Sequence, residues 1–204
     1  MSPRRSVAEA LGTRTAILDR SVAIASTEGL EGLTIGRLAL DLGMSKSGVL
    51  GHFGSKEMLQ LAVLDRAAEV FRAEVWEPAL PAEPGLPRLR ALCEAWISYL
   101  ERGVFPGGCF FVAAAHEFDG RKGPVRDAVA ALFDAWRERL RKEARRAVGA
   151  GDLPVDTDAD QLAFELLGVV MALNHAIQLH HDPEAAALAR RAVRGRLGGL
   201  AVVR

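Results

Sequence analysis

Apolar positions recur at helical spacing along almost the whole chain, and no stretch alternates as a half-buried strand would. A first helix is predicted from about Gly12 to Glu28, with Leu18, Val22 and Ala25 on one face and Gly29 and Gly32 at its end. Ile35, Leu38, Ala39 and Leu42 fall at i, i+3, i+4 and i+7 and predict a second, short helix. Gly43 supplies a residue that can turn left-handed, and Ser45 can cap a third helix. Met44 is placed to staple onto Val49, and Val49 and Phe53 would anchor the third helix to the second. Two short helices separated by about three residues are the sequence form of a helix-turn-helix.

The pattern then lengthens. Ser55 to about Glu77 carries Met58, Leu59, Ala62, Val63, Ala67, Val70 and Phe71, a helix that outlasts the small unit before it. Pro78, Pro81, Pro84 and Pro87 form the clearest breaker cluster. Leu89 to Arg102 reads helical through Leu92, Trp96 and Leu100, and Cys109 to Phe118 is short and apolar. Pro124 opens a long helix with Val125, Val129, Leu132, Phe133, Trp136 and Leu140 inside, stopped by Gly149 and Gly151. Asp156 to His181 is apolar on much of its girth, and Pro183 opens a last helix reaching about Val203. The expected fold is all-α, with about nine helices.

Composition narrows the class without naming a function. The chain has 204 residues, half hydrophobic and a quarter charged, enough for one large or two small domains with a core. Formal net charge is zero, so no global basic field points to nucleic acid. Between Thr34 and Lys56, Arg37, Lys46 and Lys56 against Asp41 leave a local excess of two positive charges. Two cysteines make no disulfide framework. The N-terminal basic pair has no apolar segment after it, and no apolar run reaches the roughly 18 residues that span a bilayer. A cytoplasmic protein is expected, with no membrane partner. Arg4 and Arg5 are compatible with a minor-groove arm or with a disordered tail.

Enzyme chemistry finds no foothold. No Ser/His/Asp order, phosphate loop, nucleotide fingerprint or carboxylate dyad is present, and no metal or cofactor is expected. Cys109 and His116 share a helical face by spacing, which would suit a thiol or metal site, but no second ligand pair stands at a recognisable spacing and the pair reads as structural or pocket-lining. His175, His180 and His181 gather near a helix C-terminus, where the dipole favours them. The basic run Arg137 to Arg146, interleaved with Glu138 and Glu143, reads as a solvated helix face.

The face of the third helix opposite Val49 and Phe53 holds Ser47 and Gly51, flanked by Gly48 and Leu50, with Lys46 and His52 nearer its ends. These small, polar or basic residues would let a helix backbone approach a groove floor, and they would also suit a solvated face. From Arg14 to Leu64 the chain resembles the DNA-binding end of TetR-type transcriptional repressors. The resemblance is carried by Gly43-Met44-Ser45, His52-Phe53 and Ser55-Lys56-Glu57 in order. It departs at Leu50, where the family usually has an aromatic ring resting on a DNA phosphate, and at Gly36, where some members place a base-reading side chain.

The resemblance implies a helix-turn-helix DNA-binding domain over residues 1–56 and a ligand-binding and dimerisation domain over residues 57–204. It implies operator contacts from Thr34, Arg37, Ser45, Lys46, Ser47, Gly48, Gly51, His52 and Lys56. It also implies a pocket for a small, largely hydrophobic effector, with Trp96, Phe110, Phe111, His116, Phe133, Trp136, Met171 and Asn174 as its expected walls, each of which suits the core as well. The last two helices carry more apolar surface than one small domain covers, so they would pair with a second copy or sit centrally in one chain. The function expected is a homodimeric repressor released from operator DNA by its effector. The rival is an all-helical small-molecule carrier or enzyme without DNA function.

Overall fold

The structure, a computed structural model, describes the backbone of residues 3–199 and the side chains of residues 9–199. Among the described residues it is all helical: α1 (Pro3–Glu28), α2 (Ile35–Asp41), α3 (Lys46–Phe53), α4 (Lys56–Phe71), α5 (Glu77–Ala79), α6 (Leu86–Glu101), α7 (Phe110–Phe118), α8 (Pro124–Gly149), α9 (Ala159–His180) and α10 (Ala185–Gly198). A π-helical segment, Arg72–Trp76, joins α4 to α5, so these pieces run as one rod and the described residues form nine rods. The rod ends within the proline cluster, as the sequence predicts.

The turn between α2 and α3 shows why two helices fit in so few residues. Gly43, at φ 62°, lets the chain reverse hand after α2. Its N–H bonds to the Leu40 carbonyl (3.2 Å) and the Met44 N–H to the Ala39 carbonyl (2.9 Å), the paired bonds of a Schellman stop. Ser45 Oγ then accepts the Gly48 N–H at 3.0 Å and starts α3. Leu38, Val49 and Phe53 are buried with Ile17 of α1 and Leu59 and Val63 of α4, giving the three-helix head its core.

The larger body surrounds α8, which packs against α4, α6, α7 and α9. Its centre is aromatic. Phe71 meets Trp96, Tyr99, Phe111 and Trp136 edge to face, with ring centroids 4.9–5.5 Å apart.

Three expectations change. Helix α1 spans Pro3–Glu28, so the backbone of residues 3–11 is helical too, while the side chains of Arg4 and Arg5 lie outside the described residues, as does the expected end of the last helix at Val203. The run Arg137 to Arg146 is not wholly solvated: Glu143 is 1% exposed. Its carboxylate accepts the Gly85 N–H (2.9 Å) at the start of α6 and Arg146 (2.7 Å). Sequence spacing places charge at Glu143 but cannot show that a backbone donor 58 residues away comes to meet it. Finally, α9 does pass the length and composition of a membrane span, although only 28% of its most apolar stretch is buried inside the chain. Interspersed polar residues hide that property from a search for unbroken apolar runs.

Glu143→Ala should lower the unfolding free energy by about 1–3 kcal/mol, the cost of leaving a buried donor unpaired. Urea unfolding followed by circular dichroism measures it.

Candidate nucleic-acid interface and internal cavity

Helix α3 presents one face to the head core and the other to solvent. Val49 is fully buried and Phe53 nearly so, while Lys46, Ser47, Leu50 and Gly51 are exposed and Gly48 and His52 are half-buried. Its end is held by a residue the sequence reading missed. Arg14 of α1 stacks over the Phe53 ring, 4.3 Å from its centroid, and donates to the His52 carbonyl at 2.9 Å. A guanidinium at a helix C-terminus meets the negative end of the dipole. Nothing local in the sequence marks Arg14, because its partner lies 38 residues on.

The other expected contact residues divide by what already occupies them. Thr34 caps α2, accepting the Arg37 N–H at 3.1 Å, and its hydroxyl proton remains to donate. Ser45 shares its cap with a 3.1 Å contact to Ser47 Oγ. Arg37 pairs with Glu28 at 3.3 Å. Lys56 Nζ donates to the Glu31 carbonyl at 2.7 Å and lies 3.2 Å from its carboxylate, leaving one of three donors free. Lys46 has no ion pair among the described residues, and its terminal Cε and Nζ lie over Gly36, in the space a side chain would fill.

Carboxylates balance these cations. Arg20 grips Asp41 and holds its carboxyl below the usual range, chiefly through the hydrogen bond. Glu31 is held low by the Gln60 amide first, then by Lys56 and Arg121.

A second feature lies in the larger body. A cavity of about 350 Å³ is walled by Phe71, Trp96, Phe111, Leu132, Phe133 and Trp136, with Asp65, Glu69, Arg72 and Arg139 also lining it. The volume is at the lower end of small-molecule sites. Of the wall residues expected from sequence, Trp96, Phe111, Phe133 and Trp136 lie along it. The other four do not. Phe110 packs behind Phe111 against Phe105. His116 is exposed on the outside of α7, and Met171 is exposed on α9. Asn174 is turned instead to the loop before α7, its Oδ1 accepting the Cys109 N–H at 2.8 Å. The end of α4 supplies Phe71 and the π-helical segment supplies Arg72, in a stretch that reads from sequence as a link between domains rather than as a wall.

Cys109 and His116 do not share a site, since Cys109 is fully buried ahead of α7 while His116 faces solvent. Burial pushes the Cys109 thiol up and the Cys93 thiol to about 12, so both are neutral thiols at physiological pH. His175 and His180 meet edge to face at 5.2 Å, and His181 takes the left-handed position that ends α9.

Asp41 and Glu31 have lowered pKa values in the fold, so their stabilisation is present above the ordinary carboxylate range and is lost as pH falls from there through their lowered values. Amides of α2 and α3 should therefore lose protection below about pH 4, before those of α8. Hydrogen exchange across a pH series, corrected for intrinsic rates, measures this.

Residues 17–63 match the family model for bacterial regulatory proteins of the tetR family, and residues 85–193 match that for the tetracyclin repressor-like C-terminal domain. No match is found among curated proteins. Among solved structures, the chain is similar to a TetR transcriptional regulator from Chloroflexus aurantiacus J-10-FL (24% identity, TM-score 0.89, 96% of this chain and 99% of that one). It is similar to AibR in complex with isovaleryl coenzyme A and operator DNA (23% identity, TM-score 0.70, 92% and 97%). It is also similar to a transcriptional regulator from Saccharomonospora viridis in complex with choline (20% identity, TM-score 0.76, 95% and 99%). At these identities the structures speak for the fold, and the two family models speak for descent. The chain belongs to the TetR family and is a DNA-binding transcriptional regulator.

Proposed function

We propose that the protein is a homodimeric, cytoplasmic repressor that leaves its operator when a small, largely hydrophobic effector fills the aromatic cavity. Residues 1–56 would serve as the DNA-binding domain and residues 57–204 as the ligand-binding and dimerisation domain. The observation that carries the reading is the two-sided α3, which is anchored through Val49 and Phe53 and opens Lys46, Ser47 and Gly51 outward. In this reading Ser47, Gly48 and Gly51 lie nearest the base edges and Lys46 reaches a guanine or a phosphate. Thr34, Arg37, Ser45, His52 and Lys56 hold phosphates.

The dimer is supported by surface that one chain leaves open. Phe164, Met171 and Leu179 of α9 and Leu188 of α10 are 71%, 40%, 63% and 49% exposed. Pairing α9 and α10 with the same helices of a second copy would cover them and place two α3 helices on one side, as paired half-sites about 34–36 Å apart require. A cavity bordered by α4 couples to that spacing only if the effector prefers the conformation that does not fit DNA. The neighbours hold a coenzyme A thioester and choline, so the fold admits different ligands and the walls of this cavity decide its own.

Gel shifts with duplexes selected from a random library test the reading. A sequence-selective complex is expected, weakened by Lys46→Ala and by Lys56→Ala. Lys56→Ala should act similarly on all sequences and flatten the salt slope by about one unit per lost phosphate contact. No selective complex at low salt would favour the carrier or enzyme. Leu50→Tyr adds a phosphate-directed hydroxyl and should tighten binding about 2- to 10-fold, the value of one net hydrogen bond.

A further inference from the structure

Glu117 lies on α7 of the larger body, yet its carboxylate is committed to the head. One oxygen accepts the Leu30 N–H and the other the Glu31 N–H, each at 2.8 Å. Both amides belong to the turn between α1 and α2, and a carboxylate accepting two backbone donors is a charge-assisted, two-point grip. The same turn is held by α4: Gln60 donates to the Leu30 carbonyl (3.0 Å) and Lys56 to the Glu31 carbonyl (2.7 Å). Two separate rods therefore clasp one turn, one by its donors and the other by its acceptors.

The far end of α7 is fixed as well. In the loop before it, a side chain on Gly107 would run into the Ser26 carbonyl of α1, so the two backbones are in close contact. The Cys109 N–H is tied to Asn174 of α9. Between these ends, Phe111 forms part of the cavity wall and meets Phe71 of α4 edge to face at 5.5 Å. One nine-residue helix thus touches the cavity, α9 and the head.

We infer that Glu117 is a positioning residue of the DNA reader, and that α7 is a second line, beside α4, by which the state of the cavity reaches α2 and α3. The inference rests on the proposed effector-responsive reading. A turn gripped through both its N–H and C=O groups cannot absorb a relative shift of the two rods, so the shift passes to the head. Linkage is reciprocal, so DNA bound at α3 must be felt at α7. That reciprocity allows a test without an identified effector.

The test is hydrogen exchange with and without the tightest duplex that the wild-type protein selects from a random library. Wild type should show DNA-dependent slowing over residues 46–53 and also over 110–118. Glu117→Gln retains one acceptor and turns an NH₂ group toward the other N–H. In that variant the slowing over 46–53 should persist, the slowing over 110–118 should vanish, and the Leu30 and Glu31 amides should exchange on the order of tenfold faster, as loss of one charged hydrogen bond implies. Glu94→Gln, which removes a carboxylate from a surface pair with Arg190, should behave as wild type. If Glu117→Gln fails to fold, Glu117→Asp poses the same question. Slowing over 110–118 that survives in the variant, or that is missing in wild type while 46–53 slows, overturns the inference and leaves the repressor reading intact. Failure to select any duplex overturns both.

Discussion

Helix α4 has to belong to two cores at once. Near its start, Leu59 and Val63 are buried with α1 and α3, and at its end Phe71 is buried among Trp96, Phe111 and Trp136. A single stiff rod whose two ends lie in different close-packed interiors leaves little room for either end to move alone. The π-helical segment follows directly after Phe71, at the edge of the cavity. Wider turns of this kind are rare and frequently mark functional positions. The cavity is lined by the last regular turns of the rod and by Arg72, where it leaves ideal geometry, and the reader packs on its regular start.

Much of this is legible in the sequence because it rests on local rules. The stop at Gly43, the cap at Ser45 and the buried pair Val49 and Phe53 are matters of a few neighbouring residues, and they locate the reader. The same holds for Pro124 and Gly149 at the two ends of α8. What is not legible depends on distant partners. Arg14 on Phe53, Glu143 on the Gly85 amide and Glu117 on the Leu30 and Glu31 amides are all charged residues that spacing alone assigns to solvent. The cavity shows the same limit. Periodicity places Trp96 and Trp136 on inner faces, but cannot say whether an inner face meets another side chain or an opening. Asn174, polar and on an inward stretch, looks like a ligand contact until the loop it ties down is seen.

The two ends of the molecule solve opposite problems. The body concentrates aromatic rings around Phe71 and leaves the surface of α9 apolar, so its unmet demand is for more apolar cover. The head is small, with its unmet demand on the polar side, in free donors along α3. Both demands point outward from one chain, in the proposed reading toward a second copy in one case and toward a nucleic acid in the other.

The paired cations of the head bear on how such a protein would find its site. Arg20 is matched by Asp41, Arg37 by Glu28 and Lys56 by Glu31, within a chain of zero net charge. Attraction to arbitrary DNA comes from unmatched positive charge near phosphates, and among the described residues these three cations are already paired while Lys46 has no ion pair. Each paired cation holds less attraction for arbitrary phosphates than a bare one, so fewer copies would be held along the rest of the genome than the count of head cations suggests. In such a design a small number of molecules would stay available for the operator.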